Sequence, residues 1–584
     1  MMRRKILIAA AVVALSGCAA VEKVRTAFQP RERVFDFVIH GGTIYDGSGG
    51  EPYVGDVAID GDRVVWVGPG PAPGLARDGV NAAGKAVAPG FINMLSWATE
   101  SLFADGRAQS DLRQGVTLEI FGEGNSMGPV NPDMARLMVE RQSDIRFDVT
   151  WKTLGGYLET LEKRGIAPNV ASFVGATTAR IHELGEADVD PTPEQLGRMK
   201  AVVRQAMEEG ALGVGASLIY APASYAETDE LAALATESGR CGGVYVAHMR
   251  SEANRLLEAV DETIEIGRRS GAPVMIYHLK AAGRSNWSKL DDVIARVESA
   301  RARGQRVSAN MYTYTAGATG LDAAMPPWVQ DGGLEAWIAR LKDPAIRARV
   351  IADMRVAKPT WENLYGHAGA EGTILTSFKN PALKPLTGKT LAEVAKARGV
   401  SPEDAAIDLV IEDGTRVGVV YFLMSEENVK RQTGLPWMSF GSDAEAPAPE
   451  GVFLLSSTHP RAYGNVARLL GKYVREEKAL TLPDAVRRLS AMPAAELGLK
   501  DRGRLAPGYF ADVVVFDPAR IQDHATFARP HQFSTGVEQV LINGRLALKD
   551  GEPTGAATGR VVRGRAWTGW KDGGCRKSAQ DWKW

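Results

Sequence analysis

Two histidines, His248 and His278, each end a short apolar segment and have the chemistry of metal ligands. The first segment reads Val244-Tyr-Val-Ala-His248 and the second reads Ala272-Pro-Val-Met-Ile-Tyr-His278. Neutral imidazole is a common zinc ligand, and a catalytic zinc takes three protein ligands and a water molecule. Alternatively, each histidine only caps a strand and bonds a backbone carbonyl. A cation follows each histidine two residues later, at Arg250 and Lys280, and this shared pattern favours the metal site.

A carboxylate that could move protons stands at Asp443, in the turn Phe440-Gly-Ser-Asp443 after a strand-like segment. Beside a bound metal, such a group can accept the proton of an attacking water and return it to a leaving nitrogen. The other interpretation is a purely structural Gly-Ser-Asp turn. Downstream, residues 457–464 concentrate polar side chains in one loop, among them His459 and Arg461.

The two histidine segments predict strands that bring their ends together. Both are short and apolar, and residues 251–269 between them carry Leu256, Val260 and Ile264 at near-helical spacing. Strand, helix and strand in this order indicate two parallel neighbours. Because ligands bind at the carboxyl ends of parallel strands, both histidines are expected to converge on one ion.

Length and composition limit the architecture and the partners. At 584 residues the chain is expected to form two or three domains, and 45% hydrophobic with 24% charged residues is typical of a soluble globular protein. The 69 Lys and Arg residues are balanced by 70 Asp and Glu residues, without a long basic run. This balance excludes nucleic acid as an electrostatic partner.

The N-terminus predicts export. Residues 1–5 are basic, residues 6–15 are apolar, and this stretch is too short to span a bilayer, so residues 1–17 are expected to be a signal peptide. Leu15-Ser-Gly-Cys18 resembles a bacterial lipobox, which implies acylation of Cys18 as the only membrane contact, and Ala19 resembles the sorting pattern for the outer membrane. An ordinary secretory signal is the alternative. Residues 18–33 are polar and predict a tether.

The remaining cysteines, Cys241 and Cys575, lie far apart in sequence. A disulfide between them is allowed by their number, but nothing else in the sequence supports it.

Short β segments occur at both ends of the folded region. Residues 35–67 contain several such segments, and residues 505–516 and 537–544 carry the same signature of β-branched residues punctuated by Gly and Asp. Neither group has enough strands for a stable core alone. We therefore expect residues 34–87 and 500–570 to pair into one small β-sandwich domain.

Between these ends, residues 88–499 alternate strand-like and helical segments. Such alternation predicts an α/β fold, and the number of units suits a (β/α)8 TIM-like barrel. Residues 318–384 depart from the rhythm and predict an insertion over the barrel mouth, where loops act as lids or specificity elements.

The ordered motifs from residue 35 to 570 resemble the amidohydrolase superfamily and, more narrowly, the N-acyl-D-amino-acid deacylase (D-aminoacylase) family. The motifs that carry the resemblance are Val87-Ala-Pro-Gly-Phe-Ile92, Gly210-Ala-Leu-Gly-Val, Leu218-Ile-Tyr-Ala-Pro222, His248-Met-Arg-Ser-Glu252, His278-Leu-Lys280, Tyr312-Thr-Tyr-Thr-Ala-Gly317, Thr376-Ser-Phe-Lys379, Gly441-Ser-Asp443 and His459-Pro-Arg461.

The resemblance implies roles for individual residues. His248 and His278 would bind zinc, and Asp443 would be the general base and a further metal ligand. The substrate carboxylate would be bound by Arg461, Lys280 and a tyrosine of Tyr312-Thr-Tyr314. An Arg fork or an ammonium group beside an amide suits such a carboxylate. Surface salt bridges are the alternative for Lys280 and Arg461.

The sequence departs from the family pattern at two places. The superfamily's His-x-His falls on Leu95 and Trp97, which cannot bind zinc, and the family's cysteine or carboxylate falls within residues 121–125, which contain no cysteine. Glu123 can supply a hard anionic ligand there, one position out of register. Together these departures imply about one zinc per chain, held by Glu123, His248 and His278 with Asp443 nearby.

The resulting expectation is a lipid-anchored enzyme of the cell envelope, a zinc-dependent hydrolase of linear amides. It would cleave a small-molecule N-acyl-D-amino acid into a carboxylate and a free D-amino acid. Two alternatives remain open at this point. One is another carbon–nitrogen hydrolase of the superfamily, such as a dipeptidase or cyclic amidase, and the other is a non-catalytic envelope lipoprotein that has lost the metal site.

Overall fold

The computed structural model describes residues 33–356, 360–569 and Cys575. The predicted signal peptide (1–17), the tether up to residue 32 and the predicted lipidation site Cys18 lie outside the described residues. Within the described residues, no helix combines the length and apolarity that crossing a membrane requires.

The strands are named in chain order. They are β1 (Val34–Ile44), β2 (Tyr53–Asp60), β3 (Arg63–Pro69), β4 (Leu75–Asn81), β5 (Ala86–Pro89), β6 (Phe91–Asn93), β7 (Val116–Phe121), β8 (Asn169–Ser172), β9 (Val174–Gly175), β10 (Gly213–Ser217), β11 (Val244–His248), β12 (Val274–Ile276), β13 (Val307–Met311), β14 (Ala316–Gly320), β15 (Thr373–Ser377), β16 (Gly418–Phe422), β17 (Met438–Phe440), β18 (Val513–Phe516), β19 (Val537–Ile542), β20 (Arg545–Lys549) and β21 (Glu552–Pro553).

The helices alternate with the strands over most of the chain. They are Ala98–Ala104, Gln109–Leu112, Pro132–Glu140, Leu154–Arg164, Ala176–Leu184, Pro193–Glu208, Thr228–Arg240, Leu256–Ser270, Leu290–Ala302, Leu334–Leu341, Pro344–Met354, Leu364–Ala368, Leu391–Arg398, Pro402–Asp413, Glu426–Thr433, Arg461–Arg468, Leu482–Leu489 and Ala491–Glu496, with a π-helical segment at Leu469–Glu476.

Local sequence signals explain where the helices of the barrel begin and end. Pro193 starts one helix after Thr192, whose side chain forms a capping box with Gln195. The helix between the histidine strands, Leu256–Ser270, buries Leu256, Val260 and Ile264, as their spacing predicted, and ends at Gly271 with a φ of 71°. Glycine adopts that left-handed conformation without steric cost.

The barrel confirms the predicted (β/α)8 fold. Its parallel strands run in the order β6, β7, β8 and β9, β10, β11, β12, β13, β17, where β8 and β9 together form one strand position interrupted at Phe173. The ring closes beside β17, because the Met94 amide donates to the Phe440 carbonyl at 3.2 Å and the Asp443 amide donates to the Leu95 carbonyl at 2.8 Å. All carboxyl ends of the strands therefore open to the same face.

The small β domain contains strands from both ends of the chain. A nine-stranded sheet has the order β21-β20-β19-β18-β5-β1-β2-β3, with β4 paired to β1. The N- and C-terminal groups join where β5 runs antiparallel to β18. Val513 and Val515 of β18 share one buried cluster with residues of β1, β2 and β3, while Val514 and Phe516 belong to the barrel cluster. This alternation makes a sandwich-like core and fixes the domain to the barrel.

The insertion is longer than the sequence indicated. Strands β14, β16 and β15 form a separate antiparallel sheet in that order, so the insertion extends from Ala316 to Phe422 and does not end near residue 384. The helices Leu391–Arg398 and Pro402–Asp413 belong to it and share its own hydrophobic cluster. Both are ordinary capped helices and the strand β16 follows the second, so the alternation of helix and strand in the sequence could not separate them from barrel units.

The sequence left the pairing of Cys241 and Cys575 open, and the structure joins them in a disulfide across 334 residues. Cys241 lies just after the helix Thr228–Arg240, on the outside of the barrel. The bond therefore fastens the C-terminal segment to a barrel helix.

Candidate active site

Three ligand-type side chains meet at the carboxyl ends of the barrel strands. Oε1 of Glu123 lies 3.1 Å from Nδ1 of His248 and 2.8 Å from Nε2 of His278. Glu123 follows β7, His248 ends β11, and His278 lies two residues beyond β12. All three side chains are buried, and their ligand atoms lie within 4.8 Å of one another. The structure thus brings together the three residues that the sequence analysis assigned to zinc.

The donor set and its spacing fit a zinc ion. Two imidazoles and a carboxylate are the ligand types of catalytic zinc sites, and ligand atoms bound to a tetrahedral zinc lie about 3.3 Å apart. Within the described chain, Nε2 of His248 is buried without a hydrogen-bond partner. That nitrogen lies 3.7 Å from Oε2 of Glu252, and the nitrogen that faces Glu123 is Nδ1, so Nδ1 of His248 and Nε2 of His278 are the imidazole atoms that would bind the ion.

Two glycines fix the position of Glu123. Gly122 and Gly124 have φ values of 100° and 72°, which residues with a side chain rarely adopt. A Cβ atom on Gly122 would lie 2.3 Å from the Phe173 carbonyl oxygen, and one on Gly124 would lie 2.3 Å from Cβ of Ser217. The loop therefore packs closely against neighbouring strands and directs the Glu123 side chain toward the histidines.

Glu252 and Lys280 surround the far side of His278. Nδ1 of His278 lies 3.0 Å from Oε1 of Glu252 and 2.7 Å from Nζ of Lys280, and the same Glu252 oxygen accepts from Lys280 at 2.6 Å. A carboxylate beside the second ring nitrogen fixes the tautomer and orientation of a metal-binding histidine. Glu252 belongs to the motif His248-Met-Arg-Ser-Glu252, but the sequence alone did not indicate a role for it.

The charges of the cluster keep both glutamates ionised. Burial alone would raise the pKa of Glu123, but His278 and His248 lower it below its ordinary value through charge and hydrogen bonds. Burial alone would also raise the pKa of Glu252, but Lys280 and the two histidines lower it below its ordinary value. Glu123 is therefore an anionic ligand, and Glu252 balances the cationic Lys280.

Asp443 lies beside the cluster and is held by other partners. Among the described residues, the group of mutually close ligand atoms does not include it, so the expectation that Asp443 also binds the metal is not supported by this geometry. Its carboxylate instead lies 2.8 Å from Nη1 of Arg461 and accepts a hydrogen bond of 3.0 Å from Nε1 of Trp97. Burial raises the pKa of Asp443, while Arg461 and His278 oppose the increase.

A buried polar network fixes the backbone next to Asp443. Oδ1 of Asn93 accepts from the Ser442 amide at 2.8 Å, and Nδ2 of Asn93 donates to Asp111 at 2.9 Å and to Glu119 at 3.0 Å. Burial raises the pKa of Glu119 to about 7, and burial together with the charge of Glu119 raises the pKa of Asp111 well above its ordinary value. Asn93 thus links the acid pair to the Asp443 turn, where Asp443 has a φ of 50°.

The residues predicted to bind the substrate carboxylate differ in how accessible they are from the cavity. Tyr312 lines the cavity, with the Arg461 guanidinium 4.4 Å from its ring centre. Tyr314 is not among the residues that line the cavity: its hydroxyl donates to Asp523 at 3.2 Å and Arg468 covers its ring, so of the two predicted tyrosines Tyr312 is the one placed to meet a substrate. Lys280 borders the cavity but is buried and bonded to Glu252 and His278, which leaves little of its ammonium for a substrate.

The positions of the missing His-x-His have other functions. Leu95 packs in the apolar interior of the barrel together with Ile92, Met94 and Tyr277. Trp97 lines the cavity and donates to Asp443. Trp97, which donates a hydrogen bond to Asp443, therefore occupies the position of the second histidine of the superfamily's His-x-His.

The insertion contributes a carboxylate that the sequence did not reveal. Glu362 accepts from the Ser251 hydroxyl at 2.6 Å and from the Glu252 amide at 3.0 Å. Because these residues are more than 100 positions apart, no local pattern could have paired them. Glu362 fixes the segment that carries Glu252 beside His278.

A cavity of about 880 Å³ opens above the metal-ligand cluster. Its floor includes Glu123, His248 and His278, and one side is formed by β14 and by Arg416 and Gly418 of the insertion. A cavity of this size suits a small molecule rather than a polymer.

The comparisons with known proteins agree with this geometry. Residues 78–547 match the model of the Amidohydrolase family. A D-aminoacylase of Alcaligenes xylosoxydans xylosoxydans is 31% identical over 91% of this chain and 99% of its own length. An N-acyl-D-glutamate deacylase of the same organism is 32% identical over 90% of this chain and 96% of its own length.

Solved structures give the same result. A crystal structure of a D-aminoacylase matches with a TM-score of 0.74 and 31% identity, covering 91% of this chain and all of the other. An N-acyl-D-glutamate deacylase from Bordetella bronchiseptica, solved with zinc and a phosphonate inhibitor, matches with a TM-score of 0.73 and 28% identity, again covering 91% of this chain and all of the other. The chain therefore belongs to the amidohydrolase superfamily and, within it, to the N-acyl-D-amino-acid deacylase family.

Proposed function

We propose that this protein is a zinc-dependent amidohydrolase that cleaves the amide of N-acyl-D-amino acids to a carboxylate and a free D-amino acid. The observation that carries the proposal is the cluster of Glu123, His248 and His278 at the floor of the cavity, with Asp443 beside it. The relatives named as deacylases of N-acyl-D-amino acids span almost the whole chain and support the same reaction. The intact ligand cluster argues against a relic without a metal site.

Zinc held by Glu123, His248 and His278, one ion per chain, would supply Lewis-acid polarisation of the acyl carbonyl and a more acidic water. The protein's own acid, Asp443, would take the proton of the attacking water as oxygen adds to the acyl carbon. It would return that proton to the amide nitrogen as the carbon–nitrogen bond breaks. Trp97 and Arg461 hold the Asp443 carboxylate in place for both transfers.

The carboxylate beside the scissile amide would be bound near Arg461 and Tyr312. Nε and Nη1 of Arg461 are buried and have no hydrogen-bond partner within the described residues, although Nη1 forms an ion pair with Oδ2 of Asp443 at 2.8 Å. A guanidinium has five N–H donors in a planar fork, so it can hold Asp443 and a substrate carboxylate together. A cyclic amide without a free carboxylate would leave this donor unused.

The test measures turnover by zinc-replete protein with N-acetyl-D-amino acids and their L enantiomers. Wild type is expected to release acetate from the D series, and Asp443→Ala is expected to lose at least about 100-fold in kcat. Equal turnover by both proteins would remove Asp443 from the mechanism. Failure of wild type on every D substrate, with zinc bound, would overturn the proposed reaction.

We further propose that the protein is exported and held at the outer membrane by a lipid on Cys18. The Leu15-Ser-Gly-Cys18 sequence motivates this proposal. The disulfide between Cys241 and Cys575 supports export, because disulfides persist in oxidising compartments and are rare in the cytosol.

A further inference from the structure

The cavity wall formed by the insertion carries an accessible guanidinium, Arg416. Its residue stands between the helix Pro402–Asp413 and β16, and it lines the cavity. Its side chain is 51% exposed. Among the other cations that line the cavity, Arg141 is paired with Glu186 and Glu335, Lys379 donates to the Glu140 carbonyl, and Lys280 is bonded to Glu252. Arg461 is buried beside Asp443, where it is assigned to the carboxylate next to the amide. Arg416 is therefore positioned to meet a ligand.

Arg416 is oriented by the insertion but not saturated by it. Its Nε donates to Oδ1 of Asp322 at 3.0 Å, and Nη2 donates to the Thr319 hydroxyl at 2.8 Å. Nη2 also lies 2.9 Å from Oδ1 of Asp322, whereas Nη1 has no hydrogen-bond partner within the described part of the chain. A guanidinium with a free edge can add a second carboxylate to the one that it already contacts.

Arg416 lines the same cavity as Arg461 and lies near His248, one of the metal-ligand residues. Its guanidinium lies 5.0 Å from the ring centre of Tyr220, and that ring lies 5.3 Å from the ring of His248. Arg461 and Arg416 also contact consecutive residues of β14, because Nη2 of Arg461 lies 3.5 Å from the Ala318 carbonyl oxygen and Arg416 contacts Thr319. The two arginines therefore flank one strand, with the metal-ligand cluster below them.

We infer that Arg416 forms a second anion-binding position that selects substrates with two carboxylates. This inference rests on the proposed function and specifies its substrate class. One carboxylate, beside the amide, would bind at Arg461, and the other would bind at Arg416. The second carboxylate would belong to an acidic amino-acid side chain or to the acyl group, and the substrates tested below distinguish these two sources.

The first measurement compares N-acetyl-D-glutamate with its uncharged analogue N-acetyl-D-glutamine. Arg416→Gln is expected to raise KM for the glutamate substrate by about 10- to 100-fold, with less than about a twofold change for the glutamine substrate, because a charge-assisted hydrogen bond is lost only for the former. Asp322→Asn, which removes a competing carboxylate, is expected to lower KM for the glutamate substrate. The KM values of wild type and Arg416→Gln for N-succinyl-D-leucine and N-acetyl-D-leucine are compared in the same way, and they test whether the second carboxylate belongs to the acyl group.

The matched control is Arg349→Gln. Arg349 lies in the insertion, stacks on Trp328 at 3.9 Å and does not line the cavity. Arg349→Gln is expected to leave the relative KM values unchanged, both for the glutamate and glutamine substrates and for the succinyl and acetyl substrates. An equal effect of Arg416→Gln on charged and uncharged substrates of both pairs, or no effect on either, would show a structural salt bridge and overturn the inference.

Calorimetry separates this inference from the proposed reaction. Glutarate is expected to bind wild type more tightly than butyrate, and Arg416→Gln is expected to abolish that difference. If wild type cleaves no N-acyl-D-amino acid but keeps a preference for glutarate that depends on Arg416, the reaction is wrong and the anion-binding position stands. If neither ligand is preferred, or if the preference survives in Arg416→Gln, the anion-binding position is wrong whatever the turnover shows.

Discussion

Nη1 of Arg461 lies 2.8 Å from Oδ2 of Asp443, so the cation predicted to bind substrate directly contacts the acid predicted to move the proton. Burial raises the pKa of Asp443 and Arg461 lowers it. Removing the cation in Arg461→Gln is therefore expected to raise that pKa and to move the acidic limb of the kcat/KM profile to higher pH. Arg461→Lys, which keeps the charge, is expected to retain a limb near that of wild type. An unshifted limb in Arg461→Gln would contradict this coupling.

Metal content depends on the three-residue cluster. Purified wild type is expected to contain about one zinc per chain, because Glu123, His248 and His278 supply three ligands of one ion. Glu123→Gln and His278→Ala are expected to lose most of that zinc in elemental analysis after dialysis. His182→Ala changes a histidine outside the cluster and is the control. Full zinc in the cluster variants would place the metal elsewhere.

The buried pair of Asp111 and Glu119 is expected to make stability depend on pH. Burial raises the folded-state pKa of Glu119 from 4.5 to about 7, so the folded state retains a proton that the unfolded state releases. The contribution of this carboxyl to the free energy of unfolding is therefore fully present below about pH 4.5, and it is lost as the pH rises through about 7. Urea unfolding of zinc-loaded protein at pH 5.5 and 8.5 is expected to show this loss, on the order of 1–3 kcal/mol.

In Glu119→Gln the dependence of stability on pH is expected to be much flatter, because the buried carboxyl with the raised pKa is gone and so is the charge that helps to raise the pKa of Asp111. The exposed residue Asp133 provides the control variant Asp133→Asn, which is expected to keep the wild-type slope. A wild-type slope in Glu119→Gln would show that this buried carboxyl does not cause the dependence on pH.

The disulfide between Cys241 and Cys575 closes a loop of 334 residues and is expected to stabilise the fold. Cys241→Ser is expected to unfold with about 2–4 kcal/mol less free energy than wild type under oxidising conditions. Reduced wild type is expected to match the variant, and added reductant is expected to leave the variant unchanged. Equal stability of oxidised and reduced wild type would contradict the prediction.

If Cys18 carries the lipid anchor, replacing it is expected to change the cell fraction in which the protein is found. Wild type produced in a bacterium that acylates lipoproteins is expected in the membrane pellet and in the detergent phase. Cys18→Ala is expected to move to the soluble fraction, because the acyl groups that would hold the chain at the membrane can no longer be attached. The control is Ala20→Ser, which leaves Leu15-Ser-Gly-Cys18 unchanged and is expected to stay in the membrane pellet. Membrane association of Cys18→Ala would refute lipidation at that residue.

The fold and the centre of the site were predictable because they rest on local patterns. Apolar segments that alternate with amphipathic helices predicted the barrel, and the positions of His248 and His278 at strand ends predicted that they converge. Glu123 was identified because the resemblance to the family places a metal ligand within residues 121–125, which contain one ionisable side chain.

What could not be predicted depends on contacts between distant segments. The pairing of Arg461 with Asp443 arises because a helix begins at Arg461 beside the turn after β17. Tyr314 turns away from the cavity because Asp523, from the C-terminal part of the chain, accepts its hydroxyl hydrogen bond. Glu362 reaches Ser251 from the insertion. None of these relationships leaves a periodic signal in the sequence.

The insertion has a hydrophobic cluster of its own, distinct from the cluster that surrounds the barrel strands. Substitutions along its inner wall therefore need not disturb the strands that carry His248 and His278. Selection can change which molecules are accepted while the reacting centre is inherited intact. A transplanted insertion from a relative would be a direct route to an enzyme with altered preference.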